Sequence, residues 1–286
     1  MRLPDDLWLQ VISDLDAPAI RSVSTVSKRF HSLADVYLLK DVRVDGPAST
    51  HGPQKVVQLA LAHPKLLTEA RSLTLRNTTT PTRAVTSTGV SSASDVVDER
   101  VSAYLRIALK LEDLELDLPE SRTCIELSLL NVASARLLTH LRRSTLRGHA
   151  QTARRDGPSM QAWMCLPLLQ ELTLSDIPFV RQPIGISCGT STTSLKILDV
   201  SYCLVDYSYL TALLKTCQAL TRLRLESICM DRKTPVERLA VSLAKTKDTF
   251  ESLELRRAHL PLGPGDGAIL LDQLQEYNAL LSVAFD

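Results

Sequence analysis

Residues 194–225 read SLKILDVSYCLVDYSYLTALLKTCQALTRLRL, and one apolar frame occurs in them twice: Leu195, Leu198 and Val200, then Leu220, Leu223 and Leu225. The alternation at the end of each frame is the pattern of a strand with one buried face. Between the two frames, Leu210, Leu213 and Leu214 fall at helical spacing. A strand and a helix in so short a unit cannot enclose a core alone, but stacked on copies of themselves they bury one continuous apolar spine. The fold therefore turns on whether the frame is repeated elsewhere.

It is. With the second apolar residue of each frame as anchor, the series runs Val42, Leu73, Leu114, Leu141, Leu172, Leu198, Leu223, Leu253 and Val283, at spacings of 31, 41, 27, 31, 26, 25, 30 and 30. The one long spacing holds residues 78–94, ten of 17 being Ser or Thr, which a polar insertion explains. The frame at Leu141 is the weakest, because it turns Arg143 inward, and a shifted or bulged strand is expected there. Helical spacing recurs after later anchors, at Leu239, Val241 and Leu243 and at Ile269, Leu270, Leu271 and Leu274. The whole resembles a leucine-rich repeat. The quoted unit is most similar to the cysteine-containing subtype, through Ser201, Cys203, Leu210 and Cys217; the next unit departs from it, with Ile228 in register with Cys203 and Cys229 one place late. The expected fold of residues 42–286 is α/β: a curved solenoid with parallel strands on its concave face and helices on its convex face.

Residues 1–41 lack the frame and read as three short helices. Leu7, Val11 and Leu15 line one face; Asp16 caps a second helix with Pro18 in its first turn, followed by Ile20 and Val23; a third carries Phe30, Leu33 and Ala34. So small a bundle buries too little apolar area to stand alone. Its residue order, Leu3-Pro4 with Asp5 and Asp6, then Leu7, Val11-Ile12, Leu15-Asp16, Ile20, Val23 and Val26-Ser27-Lys28-Arg29-Phe30, resembles the F-box. That resemblance implies docking onto an Skp-family adaptor and through it a cullin, with Leu3, Pro4, Leu7, Val11, Ile12, Leu15, Ile20, Val23, Val26 and Phe30 as the adaptor-binding residues. Ser27 and Phe30 depart from the commonest pattern, where Cys and Trp are usual. Capping the first repeat would occupy only part of this apolar set, and an exposed apolar patch is otherwise a solubility liability.

Outward strand residues alternate with the buried ones and are the expected surface for a protein target. Early strands present Asp113, Glu115, Asp117 and Glu171, and later ones Arg222, Arg224, Glu226, Glu254 and Arg256, a polarised face that would orient a partner by charge. Residues 142–155 hold Arg142, Arg143, Arg147, Arg154 and Arg155, which read either as a solvated loop or as a grip for an acidic or phosphorylated segment.

Other functions find little support. Lys and Arg total 33 against 32 Asp and Glu, so no overall basic field draws the chain to nucleic acid or anionic lipid. The start is acidic at Asp5 and Asp6 rather than basic and apolar, no run approaches a membrane span, and an intracellular place in cytoplasm or nucleus is expected. Six cysteines (124, 165, 188, 203, 217 and 229) form no C-x-x-C pair, so neither metal nor cofactor is expected. Six scattered histidines, without H-E-x-x-H or G-x-S-x-G, argue for a non-catalytic receptor. The combined expectation is the substrate-recognition subunit of an Skp-cullin-F-box ubiquitin ligase, with an interaction scaffold outside such a ligase as the alternative.

Overall fold

The computed structural model describes residues 4–38, 40–46, 68, 70–77, 108–117, 138–148, 166–176, 194–205, 210, 214–226, 229–230, 249–256 and 282–283. Leu3, the insertion at 78–94, residues 149–155 of the basic loop, Leu213 and the helical spacings beyond residue 230 lie outside these. The chain forms two compact units, Met1–Leu114 and Glu115–Asp286. The first holds helices α1 (Asp5–Ser13), α2 (Ala17–Ser24) and α3 (Lys28–Leu38), then the parallel strands β1 (Asp41–Gly46) and β2 (Ser72–Asn77). Strand β3 (Asp113–Asp117) spans the division. The second unit holds β4 (Arg143–Arg147), β5 (Glu171–Ser175), β6 (Ile197–Ser201), β7 (Leu204–Val205), β8 (Arg222–Glu226), β9 (Cys229–Met230), β10 (Ser252–Arg256) and β11 (Ser282–Val283). Helices at the N-terminal end followed by parallel strands make the chain α/β.

In the second unit each of β4, β5, β6, β8, β10 and β11 pairs in parallel with the next. Register aligns Ser144, Leu172, Leu198, Leu223 and Leu253 in one row and Leu146, Leu174, Val200 and Leu225 in another, and every one of these side chains is buried. Fully burying one Leu contributes about 1.5–3 kcal/mol, so these rows contribute substantially to the unit's stability. Strands β4, β5 and β8 are entered from the same turn: the N–H of Leu141 donates to Leu138 O, that of Leu169 to Leu166 O, and that of Leu220 to Cys217 O, at 3.1–3.4 Å. A second recurrence ties one strand entry to the next. The N–H groups of Gln170 and Glu171 donate to Arg142 O, those of Lys196 and Ile197 to Gln170 O, those of Thr221 and Arg222 to Lys196 O, and those of Glu251 and Ser252 to Thr221 O, all at 2.8–3.0 Å. In the first unit Arg71 and Ser72 do the same to Lys40 O. Such repetition leaves few backbone groups of the strand entries unpaired.

The strand exits repeat as well. Gly148, Asp176 and Tyr202 each follow the last residue of a strand, and their N–H groups donate to Ser175 O, Ser201 O and Glu226 O at 2.7–3.0 Å. Asp176 (φ 56°) and Tyr202 (φ 54°) adopt the left-handed conformation. Asp tolerates that region better than a bulky aromatic does, so the corner at Tyr202 carries strain.

Two anchors expected from the sequence are corrected by this register. The anchor of the fourth frame is Ser144, not Leu141: Leu141 closes the entry turn, Ser144 pairs with Leu172, and Arg143 is exposed rather than inward. Leu141 to Leu146 is thus the true frame, with a serine where its neighbours have leucine. Its hydroxyl is buried with no hydrogen-bond partner among the described residues, so the site carries a polar group that these residues do not satisfy. The last frame is displaced by two residues, since Val283 pairs with Leu255 rather than Leu253. A two-residue slip keeps the same face, which is why the alternation concealed it.

Between β6 and β8, residues 210 and 214–216 are helical, and Leu210, Leu214 and Cys217 are buried. Cys203 and Cys217 are buried in this core, and Cys203 Sγ lies 3.1 Å from Ser201 O. The pairing of Leu204 with Cys229 puts Cys229 one place beyond the position Cys203 occupies.

Candidate functional site

The helical segment is built so that its apolar residues divide between two roles. Helix α1 starts after Pro4 with Asp5 and Asp6 in its first turn, where acidic groups suit the positive end of the helix dipole. Helix α2 starts at Asp16, whose carboxylate accepts from Ala19 N at 2.9 Å, with proline in the first turn. Helix α3 is entered through Ser27, whose hydroxyl accepts from Phe30 N at 3.2 Å. Inside, Ile12, Ile20 and Ala34 are buried with Leu15, Val23, Phe30, Leu33, Tyr37 and Leu38 packed on them.

Three contacts hold α1 against α3. The Trp8 and Phe30 rings meet edge to face at 4.7 Å, Arg29 Nε donates to Asp5 Oδ1 at 2.8 Å, and Tyr37 O–H donates to Leu9 O at 2.9 Å. Lys40 Nζ caps the Tyr37 ring 4.1 Å from its centroid. On that frame Leu7 and Val11, one turn apart on α1, stay 44% and 51% exposed, and Val26, in the turn before α3, stays 69% exposed. Large aliphatic side chains left in water on helices held together in this way need a reason.

The ten residues expected to bind the adaptor therefore fall into groups. Pro4, Leu7, Val11 and Val26 are exposed; Leu15, Val23 and Phe30 are half-buried against the internal core; Ile12 and Ile20 form that core; Leu3 lies outside the described residues. Trp8 and Tyr37, absent from the expected set, are what lock the helices together. An aromatic beside Leu7 and another two turns beyond Phe30 were the available signals.

The outward strand face is an ion-pair surface. Register sets Thr145, Thr173, Asp199, Arg224 and Glu254 in one row across β4, β5, β6, β8 and β10. Arg224 stands among three carboxylates, with Nη1 3.5 Å from Asp199 Oδ2, Nη2 2.5 Å from Glu226 Oε2 and Nε 3.6 Å from Glu254 Oε2. Burial pushes the Asp199 carboxyl above its usual range; Arg224 opposes that rise, and Glu226 and Glu254 add to it. At Arg224 burial acts downward but is outweighed by Asp199, Glu226 and Glu254, so the guanidinium holds its proton more tightly still. Among the described residues, Asp199 Oδ1 and Arg224 Nε are buried without a hydrogen-bond partner.

Ion pairs join several of the outward charges expected from the sequence. Among the early acidic residues, Glu115 is paired with Arg147 at 3.4 Å, while Asp113, Asp117 and Glu171 are half-buried on β3 and β5. Glu171 stands in register with Arg143. Among the later residues Arg222 is exposed on β8 and Arg256 lies at the end of β10 in register with Glu226. Around Arg224 and Arg147 opposite charges lie within a few ångströms of each other. Asp199 was missed although it occupies the outward place between Leu198 and Val200, where the frame predicts a surface residue. Among the described residues no group of three or more His, Cys, Asp or Glu is placed to hold a metal ion, and no helix is long and apolar enough to cross a membrane.

The model of the F-box-like family matches residues 1–43, the span of the three helices and the start of β1. The fold and this match define an α/β chain that opens with an F-box-like domain. The chain matches no curated protein.

Proposed function

We propose that this protein is the substrate-recognition subunit of an Skp-cullin-F-box ubiquitin ligase: its F-box-like domain binds an Skp-family adaptor, its strand units bind a protein target, and the chain catalyses nothing itself. The observation that carries this reading is the exposure of Leu7, Val11 and Val26 on a helical domain whose Ile12, Ile20 and Ala34 are buried with Leu15, Val23, Phe30, Leu33, Tyr37 and Leu38 packed on them. Covering half-exposed Leu and Val side chains contributes on the order of 1 kcal/mol each. Three of them, with Pro4 and parts of Leu15, Val23 and Phe30 at the margin, supply the apolar centre of a docking contact, and polar pairs around it would supply the rest.

The strand units are read as leucine-rich repeats of a curved solenoid, strands on the concave side and helices on the convex side. The recurring frame, entry turn and left-handed exit support that reading. Target recognition is assigned to the outward residues Asp113, Glu115, Asp117, Glu171, Arg222, Arg224, Glu254 and Arg256, joined by Asp199. Ion pairs already formed among them favour selectivity by matching donors and acceptors over long-range attraction. The ligase works by proximity: holding the target near a ubiquitin-charged enzyme supplied by other subunits raises its effective concentration. The place of action is the cytoplasm or nucleus.

Affinity capture of the full chain from eukaryotic cells tests this. Adaptor and cullin are expected to co-purify with the wild type and to be lost together in Leu7→Asp. Recovery of the adaptor without cullin would favour a scaffold acting outside the ligase, and recovery of neither would overturn the reading.

A further inference from the structure

We draw no further inference here: the strongest candidate, the cluster of Asp199, Glu226 and Glu254 around Arg224 on the outward face of β6, β8 and β10, is a set of carboxylates already gathered on one guanidinium, and nothing in the structure shows what ligand would join it.

Discussion

The helical segment and the strand units handle apolar residues in opposite ways. In β4, β5, β6 and β8 the described inward aliphatic side chains are all buried, and the outward ones are mostly polar or charged, with Ile197 half-exposed. The exposed apolar residues of that region, Leu168 and Tyr202, stand singly in turns and corners, which is ordinary for a protein surface. In the helices, by contrast, Leu7 and Val11 share a face and stay exposed one position away from fully buried Ile12. The strand region has used its apolar side chains on itself, whereas the helical region has some to spare. The docking role proposed for the helices rests on that difference.

Substitutions can break this contrast. The largest effect is expected at Leu223, 0% exposed in the inward row: Leu223→Ala should cost about 2–5 kcal/mol of unfolding free energy by chemical denaturation, whereas Leu7→Ala should cost less than about 1 kcal/mol. Equal losses at the two positions would mean that Leu7 is core after all. Ser144→Ala removes the buried hydroxyl that has no partner among the described residues and should raise stability by about 1 kcal/mol, read as a higher Tm; a lower Tm would show that the hydroxyl is bonded. Tyr202→Gly relieves a left-handed φ of 54° at the expense of one weak contact, Tyr202 O–H to Glu226 Oε1 at 3.4 Å. A gain of a few tenths to about 1 kcal/mol is expected, and a loss would assign the ring a packing role.

The ion cluster sharpens the comparison through pH. The Asp199 carboxyl titrates above its ordinary value in the folded chain, so the folded state holds that proton more tightly than the unfolded one. Its charged form therefore weakens the fold at neutral pH, and that cost disappears as pH falls through the raised value toward the ordinary one near about 4. Asp199→Asn should be at least as stable as wild type at neutral pH, with any advantage gone at low pH in denaturation curves. A variant less stable at neutral pH would show that the bridge to Arg224 outweighs burial.

Much of this was legible in the sequence, for identifiable reasons. Period-two alternation between Leu residues marks a strand strongly, so β5, β6, β8 and β10 stand where Leu172, Leu198, Leu223 and Leu253 placed them. The fourth strand was misplaced because Leu141 offered a leucine where Ser144 holds the anchor position, and hydrophobicity alone cannot recognise a serine as core. In α1 the neighbours Val11 and Ile12 point about 100° apart, and nothing local says which of them faces inward. That was settled by Trp8 on Phe30 and by Tyr37 reaching Leu9, contacts between residues more than 20 positions apart. The ion pairs were not legible for the same reason, since pairing such as Arg147 with Glu115 depends on register that composition does not contain.

The most direct measurement is the affinity of the full chain for a purified Skp-family adaptor, compared with Leu7→Asp combined with Val11→Asp, alongside the Tm of each. With both side chains on the exposed face, the double variant should bind at least about 100-fold more weakly, near 3 kcal/mol, while melting within a few degrees of wild type. Unchanged binding, or binding lost only together with the fold, would contradict the account.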